Sequence, residues 1–243
     1  MSSVERAWSR SLFRPVRDGN AFEITVERLA QAIKLGAVPA GDRLPPEREL
    51  AERMQVSRVT LREAIRALRQ AGFVESRRGR GGGTFVVYAA GSGTPEDAVT
   101  VARSMGDDLH DALEFRRVVE PGAAALAATR TLSASDRGYL RTTLDECRAG
   151  SSGPNRRIAD SRVHLAIAGV AGCESLARAV ADVQLRLDDL LAAIPVLKRN
   201  IEHSNAQHEA VVQGILAGDP DGARAAMEEH VDATSALLRG FLA

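Results

Sequence analysis

Residues 44–64 read LPPERELAERMQVSRVTLREA and contain two helix starts separated by a short turn. Two prolines before Glu47 favour a helix that begins there, because proline is tolerated in a first helical turn, where its missing N–H is not needed. Ser57 is a good N-cap for a second helix that runs to about Gln70, since its hydroxyl oxygen can accept a hydrogen bond from a free N–H of the first turn. The stretch therefore predicts a helix-turn-helix.

The segments on either side extend this motif. Upstream, apolar residues at helical spacing from Phe22 to Ile33 predict a helix that ends at Gly36. Downstream, the strand-like segments 73–76 and 84–87 flank a turn rich in glycine and arginine. Helix, helix, turn, helix and hairpin is the order of a winged helix-turn-helix, so this part is predicted to be α-helical with a small β-hairpin.

Small residues at 89–95 mark a boundary, after which nearly everything has helical periodicity. We predict a winged helix-turn-helix domain at 1–88, a linker at 89–104, and an all-α bundle of six to seven helices at 105–243. The fold class is thus mainly α. Residues 1–90 carry 16 Lys and Arg against 10 Asp and Glu, which leaves 16 against 22 in the remainder. This asymmetry indicates a nucleic-acid-binding head on a body with another role.

The composition excludes several classes of protein. The chain of 243 residues is 44% hydrophobic and 26% charged, which is typical of a folded protein with two domains. No apolar run approaches the roughly 18 residues that a membrane span needs, and the N-terminus has no apolar stretch of a secretory leader. We therefore expect a cytoplasmic protein with no membrane partner. Cys147 and Cys173 are too few for a disulfide framework, and we expect both to be reduced thiols.

The second helix of the motif carries basic and hydroxyl side chains beside its apolar stripe. Its N-terminus would bring Ser57, Arg58 and Thr60 into a major groove, where arginine can pair bidentately with guanine. The arginines of the glycine-rich turn would lie along the minor groove or the phosphates. An ordinary solvated helix is the alternative, and the agreement of turn, helix, hairpin and charge disfavours it. The predicted DNA-binding residues are Arg48, Ser57, Arg58, Thr60, Arg62, Arg78, Gly79, Arg80 and Gly81.

Four segments, 44–51, 56–64, 72–74 and 82–86, together resemble the DNA-binding domain of the GntR family of regulators. Pro46 departs from the pattern, since the family more often has a small polar residue there. The resemblance implies a homodimer on a double-stranded, pseudo-palindromic operator. It also implies which residues contact that operator: Arg48, Arg58, Arg62 and the wing glycines, with Ser57 and Thr60 nearby.

The rest of the chain resembles the all-helical effector domain, called FCD, of the FadR subgroup. The resemblance implies a transcriptional regulator rather than an enzyme, controlled by a small carboxylic acid, and it favours a repressor that the acid releases from DNA. The residues that carry it are 114–121, 127–128, Asp160 with His164, 207–208, 217–219, and Met227 with His230.

Asp160 and His164 lie four residues apart on a predicted helix, so both project from one face. His208 and His230 lie on later helices. These four positions match the metal-binding pattern of the subgroup and predict a divalent metal site, for which zinc, nickel and manganese all fit. His203 is five residues before His208, roughly 140° around the helix, and is not expected to be a ligand.

Arg116 has two interpretations, which the sequence leaves open. Its guanidinium is a bidentate partner for an effector carboxylate, or it forms a salt bridge with Glu120, four residues later. Two other functions compete with the acid-controlled regulator. One is a sensor of the metal ion itself. The other is a metal-dependent hydrolase with a DNA-binding head, which would need a general base or nucleophile beside the metal, and no motif supplies one.

Overall fold

The computed structural model describes residues 21–79, 81–88, 95–150, 155–192 and 198–242. They form two compact units, one within the range 21–88 and the other within 95–242. The predicted fold class is confirmed, since helices predominate and a two-stranded antiparallel hairpin lies in the first unit. The elements are α1 (Ala21–Lys34), α2 (Glu47–Met54), α3 (Arg58–Gln70), β1 (Val74–Arg77), β2 (Gly83–Val86), α4 (Pro95–Ala128), α5 (Ala134–Ala149), α6 (Arg156–Val170), α7 (Glu174–Ala192), α8 (Lys198–Ala217) and α9 (Pro220–Leu242).

In the first unit, α1 and α2 both pack against α3. Ser57 caps α3 as predicted, because its Oγ accepts a hydrogen bond of 3.0 Å from the N–H of Thr60. Gln55 ends α2 with a left-handed backbone (φ 53°), and this conformation makes the tight turn between the two helices. The predicted inward residues of α2 and α3 are buried: Leu50, Ala51, Met54, Leu61, Ala64, Ile65 and Leu68.

The hairpin pairs Val74 with Val86 and Arg77 with Gly83. The predicted strands, 73–76 and 84–87, are each wrong by one residue. The ladder continues one pair further toward the turn than the apolar pattern indicates. At the other end, the carbonyl of Phe73 accepts from N–H groups beyond the paired strands.

A segment before α2 adds to the hairpin and was not predicted. The N–H of Leu44 donates to the carbonyl of Thr84 at 2.8 Å, and Nη1 of Arg43 donates to the carbonyl of Gly82 at 3.0 Å. These bonds attach the hairpin to the helices of the first unit.

In the second unit, α4 is the central helix and packs against α6, α7, α8 and α9, while α5 packs against α6 and α8. The part of this unit that the structure describes contains six helices, within the predicted six to seven. Small buried residues such as Ala123, Ala124 and Ala127 line α4. Because α4 is surrounded, Arg116 and Glu120 on this helix are buried, with relative exposures of 2% and 1%.

Helix α4 begins earlier than expected. Residues 95–104, predicted as part of the linker, belong to α4. The start is physically reasonable, because proline is tolerated at a first helical position. Residues 89–94 lie outside the described residues. The domain boundaries at 1–88, 89–104 and 105–243 stay predictions.

Candidate functional site

The first unit presents arginines on α2 and α3. Arg48 and Arg58 are exposed. Arg62 is also exposed, and its Nε donates to Oε2 of Glu47 at 2.7 Å. At an exposed surface such a pair is weak, so the guanidinium can exchange this carboxylate for a phosphate at little cost.

The hydroxyls and the wing residues of the predicted DNA surface lie in exposed turns or at a helix start. The Oγ of Ser57 lies 2.8 Å from Oγ1 of Thr60, at the N-terminus of α3. Arg78 and Gly81 are exposed, and Gly79 has the positive φ (103°) that glycine adopts readily. Arg80 lies outside the described residues.

Three histidines converge inside the second unit from three helices. His164 on α6, His208 on α8 and His230 on α9 are each at most 2% exposed. Their ring centroids are 5.0, 5.1 and 4.4 Å apart, and Nε2 of His208 lies 3.2 Å from Nε2 of His164. One nitrogen from each ring lies within 4.8 Å of the other two. This is a potential metal-binding cluster.

Asp160 lies one helical turn before His164 and joins the edge of this cluster. Its Oδ2 is 4.0 Å from Nε2 of His164, and its Oδ1 is 3.9 Å from Nε2 of His208. Adjacent ligands of a tetrahedral site with bonds of about 2.1 Å would be about 3.4 Å apart. The observed separations are close to this spacing. The structure therefore brings the three predicted histidine ligands together and places Asp160 beside two of them.

The electrostatics of the cluster favour the ligating forms. Burial lowers the pKa of His208 to about 4 and that of His230 well below its ordinary value. Burial opposes ionisation of Asp160, but the nearby His208 and His164 outweigh it and lower the pKa of this carboxyl. Neutral imidazoles and an ionised carboxylate are the forms that bind a divalent ion.

Glu120 contacts the histidine cluster through His164, and this contact was not predicted from the sequence. Its Oε2 lies 3.0 Å from Nδ1 of His164, and it accepts hydrogen bonds from Arg116 Nε (3.0 Å) and Gln184 Nε2 (2.5 Å). Burial opposes its ionisation, but Arg116 and His164 lower its pKa to about 2. A carboxylate on Nδ1 leaves Nε2 of the imidazole free for a metal. On the opposite side, Gln207 Oε1 lies 3.3 Å from Nδ1 of His230.

Arg116 forms the predicted ion pair with Glu120 and still has capacity to bind another group. Its Nη2 lies 3.3 Å from Nε2 of His230. Its Nη1 is buried and has no hydrogen-bond partner within the described part of the chain. Leaving a charged donor unpaired in the interior is costly, so this atom is suited to receive an anionic ligand.

A cavity of about 200 Å³ lies next to the cluster, between the ends of α6, α7, α8 and α9. Arg116, Asp160 and His230 line it, so one partner of the ion pair and two of the predicted metal ligands face a space of small-molecule size. His203, which was not expected to be a ligand, also lines the cavity and lies outside the histidine cluster.

The two cysteines are free thiols, and one of them lies near the cluster. Cys147, Asp160 and His208 form a second group with metal-binding spacing. Burial raises the pKa of Cys147 to about 12. Because a thiolate rather than a thiol binds metal, the histidine set is the better site.

A winged helix-turn-helix unit and a helical unit with a buried histidine cluster define a class: a DNA-binding protein with a helical second domain. Comparison with known sequences gives the family. Residues 23–86 match the family described as bacterial regulatory proteins, gntR family, and residues 111–233 match the FCD domain. The chain belongs to the GntR family of transcriptional regulators and carries an FCD domain.

Three curated relatives agree with this assignment. RmpR of Mycobacterium gastri, provisionally named an HTH-type transcriptional regulator, is 32% identical over 90% of this chain and 81% of its own. A protein of Escherichia coli (strain K12), provisionally named as the L-lactate dehydrogenase operon regulatory protein, is 31% identical over 88% and 85%. The HTH-type transcriptional regulator LutR of Bacillus subtilis is 29% identical over 86% and 97%.

Among solved structures, Escherichia coli McbR/YncC aligns with a TM-score of 0.52 and 19% identity, over 92% of this chain and 99% of that chain. This likeness shows the fold alone. The curated relatives are named as regulators rather than enzymes, which agrees with a transcriptional regulator and not with the hydrolase alternative. Within the described residues, no helix is both long and apolar enough to cross a membrane.

Proposed function

We propose that the chain is a homodimeric repressor of the FadR subgroup that releases its operator when a small carboxylic acid binds beside a metal ion. One observation carries the proposal. Three buried histidines converge beside Arg116, whose Nη1 has no hydrogen-bond partner within the described residues, and Arg116 and His230 line a cavity of about 200 Å³. Converging buried imidazoles suit a metal, and a buried guanidinium with an N–H available for bonding suits an anion.

The proposed DNA contacts come from α2, α3 and the turn of the hairpin. Arg58 would read a base edge, while Arg48 and Arg62 would hold the backbone. In a homodimer the two copies of α3 would lie in successive major grooves, which requires a pseudo-palindromic site. The dimer would act in the cytoplasm. The remaining proposed contacts are Ser57, Thr60, Arg78, Gly79, Arg80 and Gly81.

Asp160, His164, His208 and His230 would hold the ion, with zinc, nickel and manganese as candidates. When bound, the ion would supply positive charge and open coordination positions for a carboxylate. Glu120 fixes the orientation of His164, with its oxygen 3.0 Å from Nδ1. This contact would hold His164 in a ligating orientation before an acid binds.

Arg116 would bind the carboxylate of the acid through Nη1, while its Nε stays on Glu120. The name of the Escherichia coli relative supports a small acid, because it refers to the operon of an enzyme that acts on lactate. Arg116 and Glu120 lie on α4, which begins at Pro95, shortly after the first unit in the sequence. An acid that binds one arrangement of α4 more tightly than another would shift the population toward that arrangement.

The proposal is tested by metal analysis and calorimetric titration of small carboxylic acids, run on the wild type and on His208→Ala. We expect about one metal ion per chain in the wild type, and loss of both metal and acid binding in the variant. His110→Ala is the matched control, because His110 is exposed on α4. A wild type without metal, or a variant that binds acid normally, would contradict the proposal.

A second arm tests regulation with a DNA fragment that the protein selects from a random library. Adding an acid that binds should release the labelled fragment, and the metal-loaded protein should bind it without acid. If removal of the ion alone reverses DNA binding and no acid has an effect, the protein senses the metal and the acid-effector proposal is wrong.

A further inference from the structure

The side chains that line the cavity beside the histidine cluster have more positive charge than one carboxylate would neutralise. Arg156 and Arg157 line it together with Arg116. Asp160 is the one acidic residue among the described residues that line this cavity. If Asp160 binds a divalent ion, no other carboxylate among the described lining residues is left to neutralise the positive charge of the arginines.

The three arginines differ in how their charges are compensated. Arg116 is paired with Glu120. Arg157 donates a hydrogen bond to the carbonyl of Leu191 and lies in the field of Asp188. Arg156 is half-buried and makes no hydrogen bond or ion pair with any residue that the structure describes.

Arg156 lies further along α6 from the histidine cluster than Asp160 does. Helix α6 begins at Arg156, and the same helix carries Asp160 and His164. With a rise of 1.5 Å per residue, Arg156 lies about 6 Å along the helix axis from Asp160 and about 12 Å from His164. A short ligand with an anionic group at each end can therefore reach both the cluster and Arg156.

We propose that the effector is a small dicarboxylate, with one carboxylate held by Arg116 and the metal ligands and the other held by Arg156. The inference rests on the proposed function, because it assumes that an acid occupies this cavity. Arg157 adds positive charge next to Arg156, and the guanidinium of Arg156 can bind a carboxylate with two parallel hydrogen bonds. A monocarboxylate would leave Arg156 without a partner.

The test compares acids that differ by one carboxylate. Butyrate is paired with succinate, and L-lactate with L-malate, by calorimetric titration of the metal-loaded wild type. We expect each diacid to bind about 10- to 100-fold more tightly than its monoacid partner, the effect of one charge-assisted hydrogen-bonded pair. Arg156→Gln should lower diacid affinity far more than monoacid affinity and so remove most of this preference.

Two further variants make the result specific. Arg156→Lys keeps the charge but not the planar fork, so it should retain only part of the preference. Arg178→Gln on α7 is the matched control, because Arg178 pairs with Glu174 and does not line the cavity. Metal content and melting temperature of each variant show whether the fold and the ion are retained.

The outcomes separate this inference from the proposed function. If the wild type binds monoacids and diacids with equal affinity, the dicarboxylate proposal is wrong, although an acid still binds. The same holds if Arg156→Gln lowers the affinity for both kinds of acid equally. If none of the four acids binds the metal-loaded wild type, the acid-effector proposal itself fails.

Discussion

The Nδ1 atom of His164 lies 3.0 Å from Oε2 of Glu120, in a part of the protein where both side chains are at most 1% exposed. The same carboxylate accepts from Nε of Arg116. One buried acid therefore contacts both the imidazole proposed to bind a metal and the guanidinium proposed to bind the effector. A change at Glu120 would therefore alter both halves of the candidate site.

Glu120→Gln should weaken metal binding by about 10- to 100-fold, because the carboxylate that orients His164 is lost. It should also lower the free energy of unfolding by about 3–5 kcal/mol, since the charge of Arg116 is left buried without its counter-ion. Competition with a chromophoric chelator measures the metal affinity, and urea unfolding measures the stability.

Glu174→Gln is the control for this prediction, because Glu174 forms an exposed ion pair with Arg178. It should leave metal affinity unchanged and stability within about 0.5 kcal/mol. A Glu120→Gln protein that binds metal as tightly as the wild type would show that Glu120 does not position His164.

The metal-stripped protein should lose stability as the pH falls. His208 has a pKa of about 4 in the fold against 6.5 when free, so its contribution is fully present above pH 6.5 and is lost between about 6.5 and 4. Glu120 has a pKa of about 2 against 4.5, so its contribution is lost between about 4.5 and 2. Urea unfolding at a series of pH values measures both losses.

In His208→Gln the loss above pH 4.5 should become smaller, because one buried imidazole no longer titrates. The expected loss from His208 alone is roughly 3 kcal/mol as an upper bound. A stability that is constant or rises between pH 6.5 and 4 in the metal-stripped wild type would show that these imidazoles are not held neutral by the fold.

Arg58→Ala should lower the affinity for a selected operator by about 10- to 100-fold, the usual cost of losing a bidentate base contact. Fluorescence anisotropy over a range of salt concentrations measures it. Arg69→Ala is the matched control, because Arg69 is exposed in the last turn of the same helix. Equal losses in the two variants would mean that α3 contributes only general positive charge and that its N-terminus does not read bases.

Gly82→Ala should loosen the hairpin turn, because a Cβ at this position would lie 2.5 Å from the carbonyl oxygen of Arg77. The obstacle is backbone, so the turn itself must move, at a cost of about 1–3 kcal/mol. Amide hydrogen exchange of Val86 and Leu44 reports the loss. Gly81→Ala is the control, since its Cβ would meet nothing within 4 Å. If these amides are equally protected from exchange in both variants, a Cβ at position 82 does not clash with the turn.

The sequence predicted much of the candidate site because its signals are local. The spacing of Asp160 and His164 places them on one helical face, and the order of turn residues around Ser57 identifies the helix-turn-helix. The grouping of His208 and His230 with them came from the resemblance to a family pattern. The strand ends were less accurate, because hydrogen bonds rather than apolar spacing decide where a ladder ends.

The sequence by itself determined the class of the protein: a helix-turn-helix head, a helical body and a set of candidate metal ligands. Only the tertiary structure decided which polar groups lie next to one another inside the helical unit. Glu120 meets His164 across 44 positions of the chain, and Arg156 reaches the cavity that Arg116 lines from another helix. The physical reason is that local spacing fixes the face of one helix, whereas contacts between helices depend on how every buried side chain in the bundle packs.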